Sequence, residues 1–184
     1  MRPTHRQRFR QCLVLGGLVL ALLPASAARG QDSQARPAIA PHVRPIGSRA
    51  AYTLERGLAL SPTLRNLVDQ LEHSDLIVYI AEDRRRAGHS DASIQFIGAA
   101  SGFRFVRVTV TISLGLPQRV ALLGHELQHA LEVAANPEIR DRDSFLRYYE
   151  QFGKDVHWLA FDSAAALETG ERIRRECVLA ANIR

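Results

Sequence analysis

Residues 103–135 read FRFVRVTVTISLGLPQRVALLGHELQHALEVAA, and a change of period inside this stretch decides the fold class. In FRFVRVTVTI the side chains alternate. Phe103, Phe105, Arg107, Thr109 and Thr111 fall on one face, and Arg104, Val106, Val108, Val110 and Ile112 on the other. The second face is apolar and the first mixed, as in a sheet covered on one side. After Gly115 the period lengthens. Val120, Leu123, Leu127 and Leu131 recur at helical spacing from Leu116 to Ala135. Asn136-Pro137 ends this helix, because a residue before proline avoids the helical region.

Working outward, LIVYIA at Leu76–Ala81 is short, apolar and β-branched, which predicts a strand, and Ser93–Ile97 predicts another. Gly98 to Gly102 joins Ser93–Ile97 to the strand at Phe103. Glu82 to Asp91 reads as a charged loop. Before these, Ala50–Leu60 is a short helix. Ser61-Pro62 then opens a second one, with Ser as N-cap and Pro at the first helical position. Downstream, Asp143–Phe152 and roughly Trp158–Leu179 are helical, with Gly170 a weak point in the latter. Helices, then strands, then helices predict an α+β fold. The expected sheet is small, three-stranded and mostly antiparallel, packed on the 116–135 helix and the C-terminal helices.

The chain of 184 residues is 46% hydrophobic and 23% charged, which suits one domain of moderate size. Its formal charge of +5 suggests an anionic partner such as nucleic acid until its distribution is considered. Arg2, Arg6, Arg8 and Arg10 precede the apolar run CLVLGGLVLALL at Cys12–Leu23, and Ala25-Ser26-Ala27 follows. A basic start, a short apolar run and an A-x-A ending predict a secretory signal peptide at 1–27. The run is too short to span a bilayer, which takes about 20 apolar residues.

Cleavage after Ala27 removes those four arginines and no acid. Twenty Lys and Arg then face nineteen Asp and Glu, and the electrostatic case for nucleic acid is gone. Cys12 leaves too, so Cys177 has no disulfide partner and reads as a buried filler. The expectation is an exported protein, periplasmic or secreted, without a membrane anchor after cleavage. Residues 28–48, with Pro37, Pro41 and Pro45, read as a flexible linker, and the folded domain is expected over 49–184.

The chemistry is concentrated in His125-Glu126-Leu127-Gln128-His129. Histidines four residues apart project from one helical face one turn apart, so both imidazoles can reach one metal ion. Zn²⁺ prefers such nitrogen ligands. Glu126 lies about 100° around the helix from His125, where it can serve metal-bound water as a base without being a ligand.

The segment LLGHELQHALE, following a strand, resembles the active-site helix of the zincin metallopeptidases, in particular small exported bacterial members of the gluzincin type. The resemblance is close over Val120–Val133 and architectural over about residues 75–180. It implies one zinc ion per chain held by His125 and His129, Glu126 as general base, and a third ligand on a later helix. It also implies a cleft whose rim strand pairs with an extended peptide substrate; Phe103–Ile112 is the candidate rim strand.

The metzincin extension is excluded, because Glu132 and Ala135 stand where it needs glycine and a third histidine. Three carboxylates are candidates for the third ligand. Asp162, thirty-three residues after His129 and followed by the small residues Ser163 to Ala166, ranks first. Glu168 ranks second. Glu132 shares the histidine face two turns after His125 and more easily supports a ligand than binds the ion. Tyr148, Tyr149 and His157 are candidate oxyanion donors. The expected function is zinc-dependent peptide hydrolysis. The rival is a non-catalytic, zinc-stabilised binding module, which would close the metal's fourth position with protein.

Overall fold

The structure is a computed structural model and describes residues 41–84, 90–151 and 162–182. The expected signal peptide at 1–27, most of the expected linker at 28–48, His89 and His157 lie outside the described residues. The elements run β1 (Val43–Pro45), α1 (Gly47–Leu60), α2 (Pro62–Glu72), β2 (Leu76–Asp83), β3 (Ala92–Ala100), β4 (Phe103–Thr111), α3 (Leu116–Ala134), α4 (Arg142–Glu150) and α5 (Ala164–Asn182).

The fold is α+β. Its sheet, however, has four strands in the order β1-β2-β4-β3 and is mostly parallel, which corrects the expected three-stranded, mostly antiparallel sheet. β1 and β4 both run parallel to β2, and β3 alone is antiparallel. Alternation along a strand reports which face is buried and nothing about the direction of its partners. Here β3 and β4 form a hairpin through Ser101 and Gly102, both at positive φ (51° and 81°), which suits the twist of paired strands. The hairpin returns the chain in the direction of β2, and β4 settles between β2 and β3.

The fourth strand comes from the stretch read as linker. Val43–Pro45 is extended, but it is paired: the Val78 amide donates to His42 O at 2.8 Å and the Ile46 amide to Ile80 O at 2.7 Å. The Glu72 carboxylate accepts the amides of His42 and Val43. Proline-rich sequence is compatible with this place because β1 is an edge strand.

The apolar row of β4 (Val106, Val108, Val110) joins Val78 and Ile80 of β2 in a core closed by Leu64, Leu71, Val120, Leu123 and Leu127. β2 is buried on both faces over Leu76–Val78, as parallel strands commonly are. α2 starts as expected, with Ser61 Oγ accepting the Leu64 amide at 2.9 Å. α3 packs on the sheet with one side and on α5 with the other.

The α3–α5 approach is close because it runs over glycine. A Cβ on Gly124 would lie 2.0 Å from Cδ1 of Ile173, and one on Gly170 would lie 3.3 Å from both Ala121 O and His125 Cβ. Gly170 is therefore a contact point in an unbroken helix rather than a weak point. The described part of the last helix begins at Ala164, and Ser163 caps it by accepting the Ala166 amide at 3.0 Å. Asp162 sits just outside the helix.

Candidate metal centre

Packing α3 on both sides buries most of its circumference, including two polar residues of the motif. Glu126 and His129 are 6% and 3% exposed. The His125 and His129 rings meet edge to face with centroids 4.8 Å apart. Asp162 reaches them from the start of α5, its Oδ1 3.1 Å from Nε2 of His125. One donor atom from each of His125, His129 and Asp162 lies within 4.8 Å of the others.

The other two carboxylates are elsewhere. Glu168 is exposed and paired with Arg172 at 2.5 Å. Glu132 stands behind His129, with Oε2 2.8 Å from Nδ1, and its Oε1 accepts the Ser163 hydroxyl. With Nδ1 so engaged, Nε2 is the nitrogen of His129 whose lone pair could bind a metal ion.

Burial pushes the Glu126 carboxyl up to about 8, and the charge of Asp162 adds to the effect. Burial, and then the neighbouring His129, hold the His125 imidazole below its ordinary value despite Asp162, so it is neutral at pH 7 and able to ligate. Burial raises the Glu132 carboxyl, but the hydrogen bonds from His129 and Ser163 outweigh this and leave it lowered.

The three residues could hold a metal ion. Two imidazoles and a carboxylate form a common catalytic ligand set. A ligand histidine held from behind by a carboxylate is the usual supporting arrangement. Among the described residues this group has three members.

Two sequence expectations change. Phe103–Ile112 cannot be a rim strand that pairs with a peptide, because β4 is bonded on one side to β2 and on the other to β3. Among the described residues the antiparallel edge of the sheet belongs to β3. Tyr149 is not placed as an oxyanion donor. It is 2% exposed, its hydroxyl donates to the His129 carbonyl at 3.0 Å, and its ring lies edge-on to the His129 ring. Burial first, then the Glu132 charge, push the Tyr149 hydroxyl above its ordinary value, so it stays protonated and acts as a strut. Tyr148 packs on Tyr149 and is hydrogen-bonded to Asn136.

The residue that sequence reasoning passed over is Arg104. It lies in the apolar row of β4, is 2% exposed, and donates to the carbonyls of Val133 and Ala134 in the last turn of α3 and of Asn136 and Ile139 just past it. Its signal was visible as a lone cation in register with three valines.

Compared with protein-family models, curated proteins and solved structures, the chain matches none.

Proposed function

We propose that this chain is an exported, zinc-dependent metallopeptidase with a zincin-type site. The observation that carries the reading is the convergence of three ligand atoms, two from one turn of α3 and one from the start of α5, with Glu126 buried in the same turn. His125, His129 and Asp162 would hold the ion. Zinc bound there supplies Lewis acidity, polarising a carbonyl oxygen and acidifying water.

The chain's own contribution is a buried base. With a cation beside it to offset the burial that otherwise keeps it protonated, the Glu126 carboxylate would take a proton from the attacking water and return it to the departing amine nitrogen as the peptide C–N bond breaks. The outer edge of β3, which pairs with no strand among the described residues, is where an extended peptide can add as a further strand. Among the described residues the group has three members, and Glu132 faces His129 Nδ1 instead of joining them, which favours an open position for substrate over a closed structural site. That is the reason to prefer the enzyme over the binding module.

The test is zinc content by elemental analysis together with cleavage of a peptide library. One zinc per chain and cleavage by the wild type are expected, with Glu126→Gln keeping zinc and losing cleavage. Turnover retained in Glu126→Gln would remove Glu126 as the base. Zinc without any cleavage would favour the binding module, and a metal-replete protein without zinc would end the reading.

A further inference from the structure

Glu132 touches both halves of the candidate metal centre. Through Oε2 it meets His129 Nδ1 at 2.8 Å, on the helix that carries two ligands. Through Oε1 it accepts the hydroxyl of Ser163, next in the chain to the third ligand, Asp162. Ser163 Oγ in turn accepts the Ala166 amide at 3.0 Å, so a single hydroxyl both caps α5 and ties its start to α3. The Asp162 side chain is 48% exposed, so packing does little to hold it, and the anchored residue beside it does more.

We infer that Glu132 is the positioning residue of the metal centre: it sets which nitrogen of His129 faces the ion and, through Ser163, where Asp162 stands. This rests on reading His125, His129 and Asp162 as a metal centre. The physical argument has two parts. An imidazole whose Nδ1–H donates to a carboxylate keeps its lone pair on Nε2, so the ring has no choice of tautomer left to make on binding. A carboxylate that accepts from both elements at once makes the separation of α3 and the α5 start a property of the fold rather than of the ion. Ligands already in place lose less conformational freedom when the ion binds.

The experiment is a zinc competition titration against a chromophoric chelator, run on wild type, Glu132→Ala, Glu132→Gln, Ser163→Ala and Asp162→Ala. Alongside it, ¹⁵N NMR of the metal-free protein reads the His129 tautomer. Glu132→Ala is expected to weaken zinc binding about 10–100-fold. Glu132→Gln should retain most of the affinity, since its amide can accept from His129 and donate to Ser163. Ser163→Ala should weaken binding several-fold in the wild type and not at all in the Asp162→Ala background, because it acts only through Asp162. His129 should carry its proton on Nδ1 in the wild type and lose that preference in Glu132→Ala, a change that general destabilisation would not produce.

Zinc affinity within about twofold of wild type in Glu132→Ala, or an unchanged tautomer in a folded Glu132→Ala, overturns the inference and leaves the metal centre standing; twofold is small against the loss expected from such a supporting group. A wild type that binds no zinc overturns the metal centre itself, and this inference with it.

Discussion

The guanidinium of Arg104 meets the carboxylate of Asp75 in a two-pronged contact, Nη2 to Oδ1 at 2.7 Å and Nε to Oδ2 at 2.9 Å. Its remaining donors are on the carbonyls that end α3. The last carbonyls of any helix have no partner within it, and a cation is favoured there. A charge on β4 is thus the cap of the helix that bears His125 and His129, and Asp75, just before β2, keeps it in place.

Removing that cap leaves several buried carbonyls unpaired. Arg104→Met is expected to destabilise the fold by roughly 3 kcal/mol or more. Asp75→Asn should cost about 1–2 kcal/mol, at the low end because Asp75 is nearly half exposed. Urea unfolding of the two variants checks both values. The Arg104 hydrogen bond is foremost in holding the Asp75 carboxyl below its ordinary value, against the opposing effect of burial. Its stabilisation is therefore present above the unfolded-state value and lost as pH falls through the folded-state value. The stability gap between wild type and Asp75→Asn should close in acid.

Close packing at Gly124 makes a second expectation. Gly124→Ala places a methyl against Cδ1 of the fully buried Ile173, and overpacking of this kind costs about 1–3 kcal/mol, outweighing the gain in helix propensity. Ile173→Val removes the atom in the way. In the Gly124→Ala background it should recover stability, whereas alone it should reduce it. Additive losses in a double-mutant cycle would show that the α3–α5 contact is looser than described.

The buried Glu126 predicts a pH dependence in the metal-free protein. Its folded value of about 8 stands above the ordinary 4.5, so folding retains a proton that the unfolded chain releases. The associated stability is present below about 4.5, declines as pH rises, and is lost above about 8. Thermal midpoints of chelator-treated wild type should therefore fall between pH 5 and pH 9 more steeply than those of Glu126→Gln; these limits bracket the window in which such a group titrates. Parallel profiles would mean that Glu126 is solvated.

Asp162 and Glu168, six residues apart, should behave oppositely. Asp162→Ala is expected to lower zinc affinity by about a hundredfold or more, as loss of one of three protein ligands. Glu168→Ala, with its side chain two-thirds exposed, should leave affinity unchanged and stability within about 0.5 kcal/mol. Elemental analysis after dialysis, with thermal melts beside it, separates the two. Zinc lost with Glu168 instead would place the third ligand on the exposed face of α5.

Several of these relations are readable along the chain and several are not. The α3 helix, its ending before Pro137 and the Ser61 cap follow from residues within a few positions of one another. The pairing of β1 does not, because Pro41, Arg44 and Pro45 look the same in a linker as on a sheet edge. The choice of Asp162 over Glu168 is partly readable: the small residues after Asp162 rank it first, and the position of Ser163 as cap then sets it beside His125.

By itself the sequence determined what depends on local period. Two-residue alternation made FRFVRVTVTI a strand, and helical spacing placed His125 and His129 on one face with Glu126 beside them. Tertiary structure decided what depends on distance in space. It set the direction of β4, the role of Arg104 as a cap, and the meeting of residues thirty-three positions apart in the chain. The reason is physical. A helix turn is specified by hydrogen bonds between near neighbours, whereas the separation of α3 and α5 is specified by the side chains absent at Gly124 and Gly170 and by the carboxylate of Glu132 between them.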